Sequence, residues 1–120
     1  MEKVAQDLIN RLIQKTEKNQ AVWNKTSRSN EFKIELSNGK ITTDVWFNEE
    51  ESWSGDFRLY NDNGDEIYSV CVQNDSESED FNLLSKLNTV IKNKYYKVEE
   101  TIEGVLEEVS GDDIIGIPPF

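Results

Sequence analysis

The chain has 120 residues, of which 36% are hydrophobic and 10% aromatic, with 13 Lys/Arg against 24 Asp/Glu and a net charge of −11. This is enough for one domain with one modest core, and too aromatic for a wholly disordered chain. With no His and a single Cys, it excludes nucleophile–His catalysis, a Cys/His zinc site and an intrachain disulfide.

The charge falls in blocks. Residues 1–48 hold 8 bases and 6 acids, and residues 49–80 hold 11 acids against Arg58 alone. Residues 81–98 hold four lysines and no acid, and residues 99–120 hold seven acids and no base. Such acidic blocks repel DNA and anionic lipid, which are bound by clustered Lys/Arg. No stretch approaches the ~20 apolar residues of a membrane span, and the N-terminal residues lack the apolar run of a signal peptide. The expectation is an intracellular, cytoplasmic protein.

Val4, Leu8, Ile9, Leu12 and Ile13 share one helical face and predict a helix over 2–18. Residues 19–30 are irregular, with Trp23 read as a core residue. Phe32, Ile34 and Leu36 alternate with charged residues, as in a half-buried strand. Asn38-Gly39 then predicts a hairpin turn in which both residues take positive φ. The return strand, 41–47, carries Val45 and Phe47 on one face and Thr42, Asp44 and Trp46 on the other, which reads as the less buried face. A third strand lies within 53–60, interrupted by Ser54 and Gly55. Asn61-Asp62-Asn63-Gly64 turns into a fourth strand, 67–72, apolar on both sides and therefore expected to be well covered, with Cys71 inert inside it.

Residues 75–80 are an acidic helix entry, with Ser76 or Ser78 as the cap. Phe81, Leu84, Leu87, Ile91 and Tyr95 mark the next helix, with lysines toward its far end, the sense favoured by the helix dipole. The chain bends near Val98. Ile102, Val105, Leu106 and Val109 form a shorter amphipathic helix stopped by Ser110-Gly111. The predicted fold is α+β: an N-terminal helix, a four-stranded antiparallel meander, and one or two C-terminal helices packed on one sheet face. Residues 1–110 form the domain. Residues 111–120 form an apolar tail, and Ile114, Ile115, Ile117 and Phe120 are expected to dock on the body.

Trp23-Asn24-Lys25-Thr26, Asn30-Glu31-Phe32, the stretch from Tyr60 to Ile67, and Leu84 to Tyr96 followed by Val98-Glu99-Glu100-Thr101-Ile102 together form a pattern. Over residues 5–107 the chain resembles a loose group of small bacterial and phage-associated α+β proteins. That resemblance implies the helix–meander–helix order and no particular activity.

Candidate sites are few. Asn61 to Glu66 is rich in calcium-type ligands, but placing Gly64 at position six of an EF-hand loop puts Val70 at position twelve, where a Glu is required. It reads as a hairpin. No cofactor is expected. Nothing in the spacing selects two of the 24 acids as a catalytic pair. Aromatic side chains rimmed by acids can anchor a basic partner through packing and cation–π contacts. The residues that fit are Asp44, Trp46, Glu49, Glu50, Glu51, Trp53, Asp56, Asp62, Asp65 and Glu66. The expected function is a non-enzymatic binding protein that engages a basic surface of a protein partner. An inhibitor of a nucleic-acid-binding defence enzyme, or an immunity or antitoxin-type protein, would work this way. The alternatives are a small carboxylate-based or divalent-metal hydrolase, and a homo-oligomeric subunit whose apolar second sheet face is buried by an identical copy, with tail exchange between protomers adding area.

Overall fold

The computed structural model describes residues 1–74 and 78–119. Helix α1 spans Lys3–Glu17. Five strands follow: β1 Asn24–Lys25, β2 Glu31–Leu36, β3 Gly39–Phe47, β4 Trp53–Asn61 and β5 Glu66–Gln73. Helices α2, Glu79–Tyr95, and α3, Val98–Val109, complete the chain. The strands form one antiparallel sheet in sequence order. The sheet has five strands rather than the expected four. The extra one, β1, is two residues long, too short to show any periodicity.

One sheet face is covered. Ile9, Leu12 and Ile13 of α1 and Leu84, Leu87 and Ile91 of α2 pack with Phe32, Ile34, Ile41, Phe57 and Trp23. Burying such a set removes each large side chain from water at ~25 cal/mol per Å² of apolar surface. Trp23 is buried, and its Nε1 donates to Thr16 Oγ1 at 3.0 Å. Gly55, which interrupts the sequence pattern, does not interrupt β4. A Cβ there would meet Val45 at 3.3 Å and Leu84 at 3.6 Å, so the glycine lets α2 sit close to the sheet. Asn88 of α2 donates to Thr43 Oγ1 at 2.9 Å, and Thr43 donates to the Asp56 carbonyl at 2.8 Å, which ties helix to sheet through the core.

The helices α1 and α2 run parallel. The Met1 amino group lies 2.9 Å from Asp80 in the first turn of α2, and Gln6 also donates to Asp80. At the other end Glu17 shares a groove with Asn93 and Lys94. Ser78 caps α2 by accepting from Phe81 N at 3.0 Å; the alternative cap, Ser76, lies outside the described residues. The bend before α3 occurs at Lys97, which takes the left-handed conformation with φ 53°.

Four expectations are corrected. The β2–β3 turn is not centred on Asn38-Gly39: Leu36 pairs with Gly39, and neither Asn38 nor Gly39 has positive φ. Gly39 is instead the first strand residue, where a Cβ would run into the Tyr60 carbonyl of β4. Strand β5 is not well covered, because it is an edge strand. Tyr68, Val70 and Val72 face the core, while Ile67, at a bulge, and Cys71 are exposed. The tail is not docked: Ile114 is 99% and Ile117 96% exposed. Phe120 lies outside the described residues. Finally, α3 does not pack its apolar stripe on the sheet; every one of its residues is exposed. No helix among the described residues is long and apolar enough to cross a membrane.

Candidate functional site

The structure separates the predicted site residues into three places. Strand β4, nine residues long, spans about 26 Å from end to end at ~3.3 Å per residue. Glu49, Glu50, Glu51 and Trp53 lie at its start, and Asp62, Asp65 and Glu66 at its far end. Asp44 and Asp56 lie between them, on the sheet face that no helix covers, with Trp46 half-buried on the same side. The ten residues therefore do not form one surface.

The central place is a row of acids. The register sets Glu31 of β2 opposite Asp44 of β3, Asp44 opposite Asp56 of β4, and Asp56 opposite Cys71 of β5. Asp44 is 4% and Asp56 1% exposed, which corrects the reading of this face as the less buried one at its centre. These side chains are short, and the neighbouring rows carry Lys33, Arg58 and Trp46. In the middle of a sheet, long neighbours shade short ones from water.

Glu31 is held by Thr26 at 2.8 Å and by Arg28 at 3.2 Å. Asp56 Oδ2 is 3.5 Å from Arg58, which also reaches Glu66 at 3.6 Å. The other oxygens, Asp44 Oδ1 and Asp56 Oδ1, together with Thr42 Oγ1, are buried and find no hydrogen-bond partner among the described residues. Loss of solvation raises the Asp56 pKa to about 6; the charges of Asp44 and Glu31 push the same way, and Arg58 and Arg28 push against it. Asp44 is raised for the same first reason, assisted by Glu31 and opposed by Arg28, Lys92 and the Val45 N–H. The charge of Asp56 in turn raises the Arg58 pKa. Two adjacent carboxyls with raised pKa values are a pattern catalytic sites use. Here, however, neither side chain is open to a substrate, and no group of three or more His, Cys, Asp or Glu suited to a metal ion exists among the described residues.

The second place is the loop between β3 and β4. Asn48 organises it. Its Nδ2 donates to Ser52 Oγ at 3.1 Å and Ser54 Oγ at 2.9 Å, while its Oδ1 accepts from the Glu50 and Ser52 N–H groups. Glu51 takes the left-handed conformation with φ 59°. The result is a built loop that displays Glu49, Glu50 and Glu51 to water. Beside it Phe47 and Trp53 pair across the strands, with rings edge to face at 5.4 Å. Both are substantially exposed, at 56% and 46%. Trp53 also borders a cavity of about 440 Å³ between the sheet and α2, lined by Val45 and Phe81 as well as by Asn82, Ser85, Asn88 and Lys92.

The third place, Asn61 to Glu66, is the hairpin that its sequence suggests. Asn61 Oδ1 accepts from the Asn63 and Asp65 N–H groups, and Gly64 supplies a φ of +87°.

Sequence reasoning passed over Glu31 and Phe47. The register exposes both, since each stands directly opposite a residue already singled out, Asp44 and Trp53. No protein-family model, no curated protein and no solved structure matches this chain.

Proposed function

We propose that this is a non-enzymatic binding protein that engages a basic surface of a protein partner with the β3–β4 end of its sheet. The observation that carries this reading is the exposed Phe47–Trp53 pair beside the three glutamates of a preorganised loop. Large aromatic rings are the usual anchors of an interface core, and charges at the rim steer the encounter and exclude like-charged partners. A loop already held by Asn48 loses little conformational freedom on binding. Nucleic-acid-binding proteins fit the partner role, because the groove that takes phosphates is basic and carboxylates present a similar charge pattern.

The test is affinity capture from cell lysate at low and high salt with three baits: the wild type, Trp53→Ala, and Glu49→Lys with Glu50→Lys. The expected result is a specific basic protein that is released by salt and lost from both variants. Capture that neither variant diminishes, or no specific capture at either salt concentration, would overturn the proposal.

A further inference from the structure

Strand β5 forms one edge of the sheet and lacks the devices that usually close an edge. It runs for eight residues, and after Glu66 it holds no charged residue and no proline. Soluble proteins blunt such edges with lysines, prolines or short strands, because an open edge is a template for another strand. The one irregularity lies at the start, where Ile67 stands between Glu66, opposite Tyr60, and Tyr68, opposite Leu59.

The register shows what the edge offers. The Asn74 N–H donates to the Trp53 carbonyl at 2.8 Å. In an antiparallel ladder only every second residue exchanges hydrogen bonds with a given neighbour. Val72, Val70 and Tyr68 therefore turn their backbone groups toward β4, and Gln73, Cys71 and Ser69 turn theirs to the free edge. Outside the ladder none of these three makes a backbone hydrogen bond among the described residues. The side chains alternate in the same way. Tyr68, Val70 and Val72 pack against the core and are only half-buried, since no strand stands beyond them.

We propose that the β5 edge binds an extended segment of a basic protein partner, paired antiparallel to β5. The segment carries apolar side chains at alternate positions and lysine or arginine at its C-terminal end. Its backbone would bond Ser69, Cys71 and Gln73, and its apolar side chains would cover Tyr68, Val70 and Val72, since opposed residues in an antiparallel pair share a face.

Charge chooses the occupant. Antiparallel pairing brings the C-terminal end of the segment to the start of β5, where Asp62, Asp65 and Glu66 are exposed. Arg58 is shared between Asp56 and Glu66 at 3.5 and 3.6 Å, and Lys40 lies over the Tyr60 ring on β3, two strands from the edge. A second copy brings no such cation. Its β5 holds no base, and its exposed tail, residues 110–119, holds Asp112 and Asp113 and no base. The edge is separate from the β3–β4 end, and it would take such a segment whether or not that end binds a partner.

The test is amide exchange by NMR with a capped eight-residue peptide in which threonine and valine alternate and two lysines stand at the C-terminal end. With free peptide at about ten times its dissociation constant, exchange at Ser69, Cys71 and Gln73 should slow about 10-fold, while Val70 and Val72, already bonded to β4, change little. The same peptide with its lysines at the N-terminal end should bind more weakly. Cys71→Pro removes an outward N–H and no bond to β4, and should abolish binding. Asp62→Lys with Asp65→Lys should weaken it about 10-fold at low salt. Circular dichroism checks that both variants fold. Unchanged exchange at the three amides would overturn the proposal, as would equal binding of the two peptides or a charge variant that binds as the wild type does. Protection of the same amides without peptide, together with a dimer mass by light scattering, would assign the edge to a second copy and overturn it equally. Neither variant touches Phe47, Trp53 or Glu49 to Glu51, so the outcome is separate from that of the lysate capture.

Discussion

Two acidic regions of this chain have opposite environments. Glu31, Asp44 and Asp56 lie in one row across the middle of the sheet, buried although no helix covers them. The glutamates of α3 and of the β3–β4 loop stand in water. The carboxyl chemistry is the same, and the difference lies in what the neighbours do to solvation. At Asp44 and Asp56 loss of water raises the pKa, and the charge is tolerated through Arg58 and Arg28. On the loop and on α3 the charges keep their hydration and add little to folding. Buried acids here bear on stability and pH response, and the exposed acids are those the proposed recognition of a basic partner would use.

The largest expected effect comes from neutralising Asp56. Its carboxyl titrates near pH 6 in the folded protein, above the ordinary value of 3.8. The folded state therefore holds the proton more tightly than the unfolded state. The stability this contributes is complete below the unfolded pKa and is lost as pH rises through about 6. Asp56→Asn should remove that loss. Urea denaturation should show it more stable than the wild type by about 3 kcal/mol at pH 8, at ~1.4 kcal/mol per pKa unit, with the gap closing by pH 4.

Removing the cation that serves the row comes next. Arg58→Met should destabilise the protein by about 2 kcal/mol at pH 8, because it leaves a buried carboxylate without its charged partner. It should also raise the Asp56 titration further, as read by carbon-detected NMR of the carboxyls. An unchanged titration would mean that the contact at 3.5 Å does little to hold the charge.

The exposed side of the comparison predicts smaller changes. Asn48→Ala should lower stability by about 1–2 kcal/mol, since it removes the side chain that organises the β3–β4 loop. Amide exchange at Glu50 and Ser52 should rise accordingly. Glu51→Gly should raise stability by about 0.5 kcal/mol, by relieving a left-handed non-glycine residue. Glu103→Gln, on α3, should leave the melting temperature where it is. A clear shift there would show that the exposed acids also contribute to the fold.

The sequence was most legible where one period dominated. The alternation that begins with Phe32 and Ile34, and the helical recurrence of Leu84, Leu87 and Ile91, mark faces that form the core, while Leu36, at the end of the same alternation, is exposed. The register was less legible. A turn centred on Asn38-Gly39 would pair Glu31 with Trp46. The actual turn, one residue earlier, pairs it with Asp44 and so creates the acidic row. Both registers keep every side chain on the same face, so hydrophobic pattern alone cannot separate them. What decides is the crowding of β3 by β4 at Gly39, a contact between residues 21 positions apart.

By itself, then, the sequence determined the element types, the core faces and the absence of imidazole chemistry, because these follow from local periodicity and composition. Only the tertiary structure decided which acids lose their water, that β5 is an open edge, and that α3 with its tail stands away from the body. Each of these depends on which residues distant in the chain come to lie side by side, and solvation responds to those neighbours rather than to the residue itself.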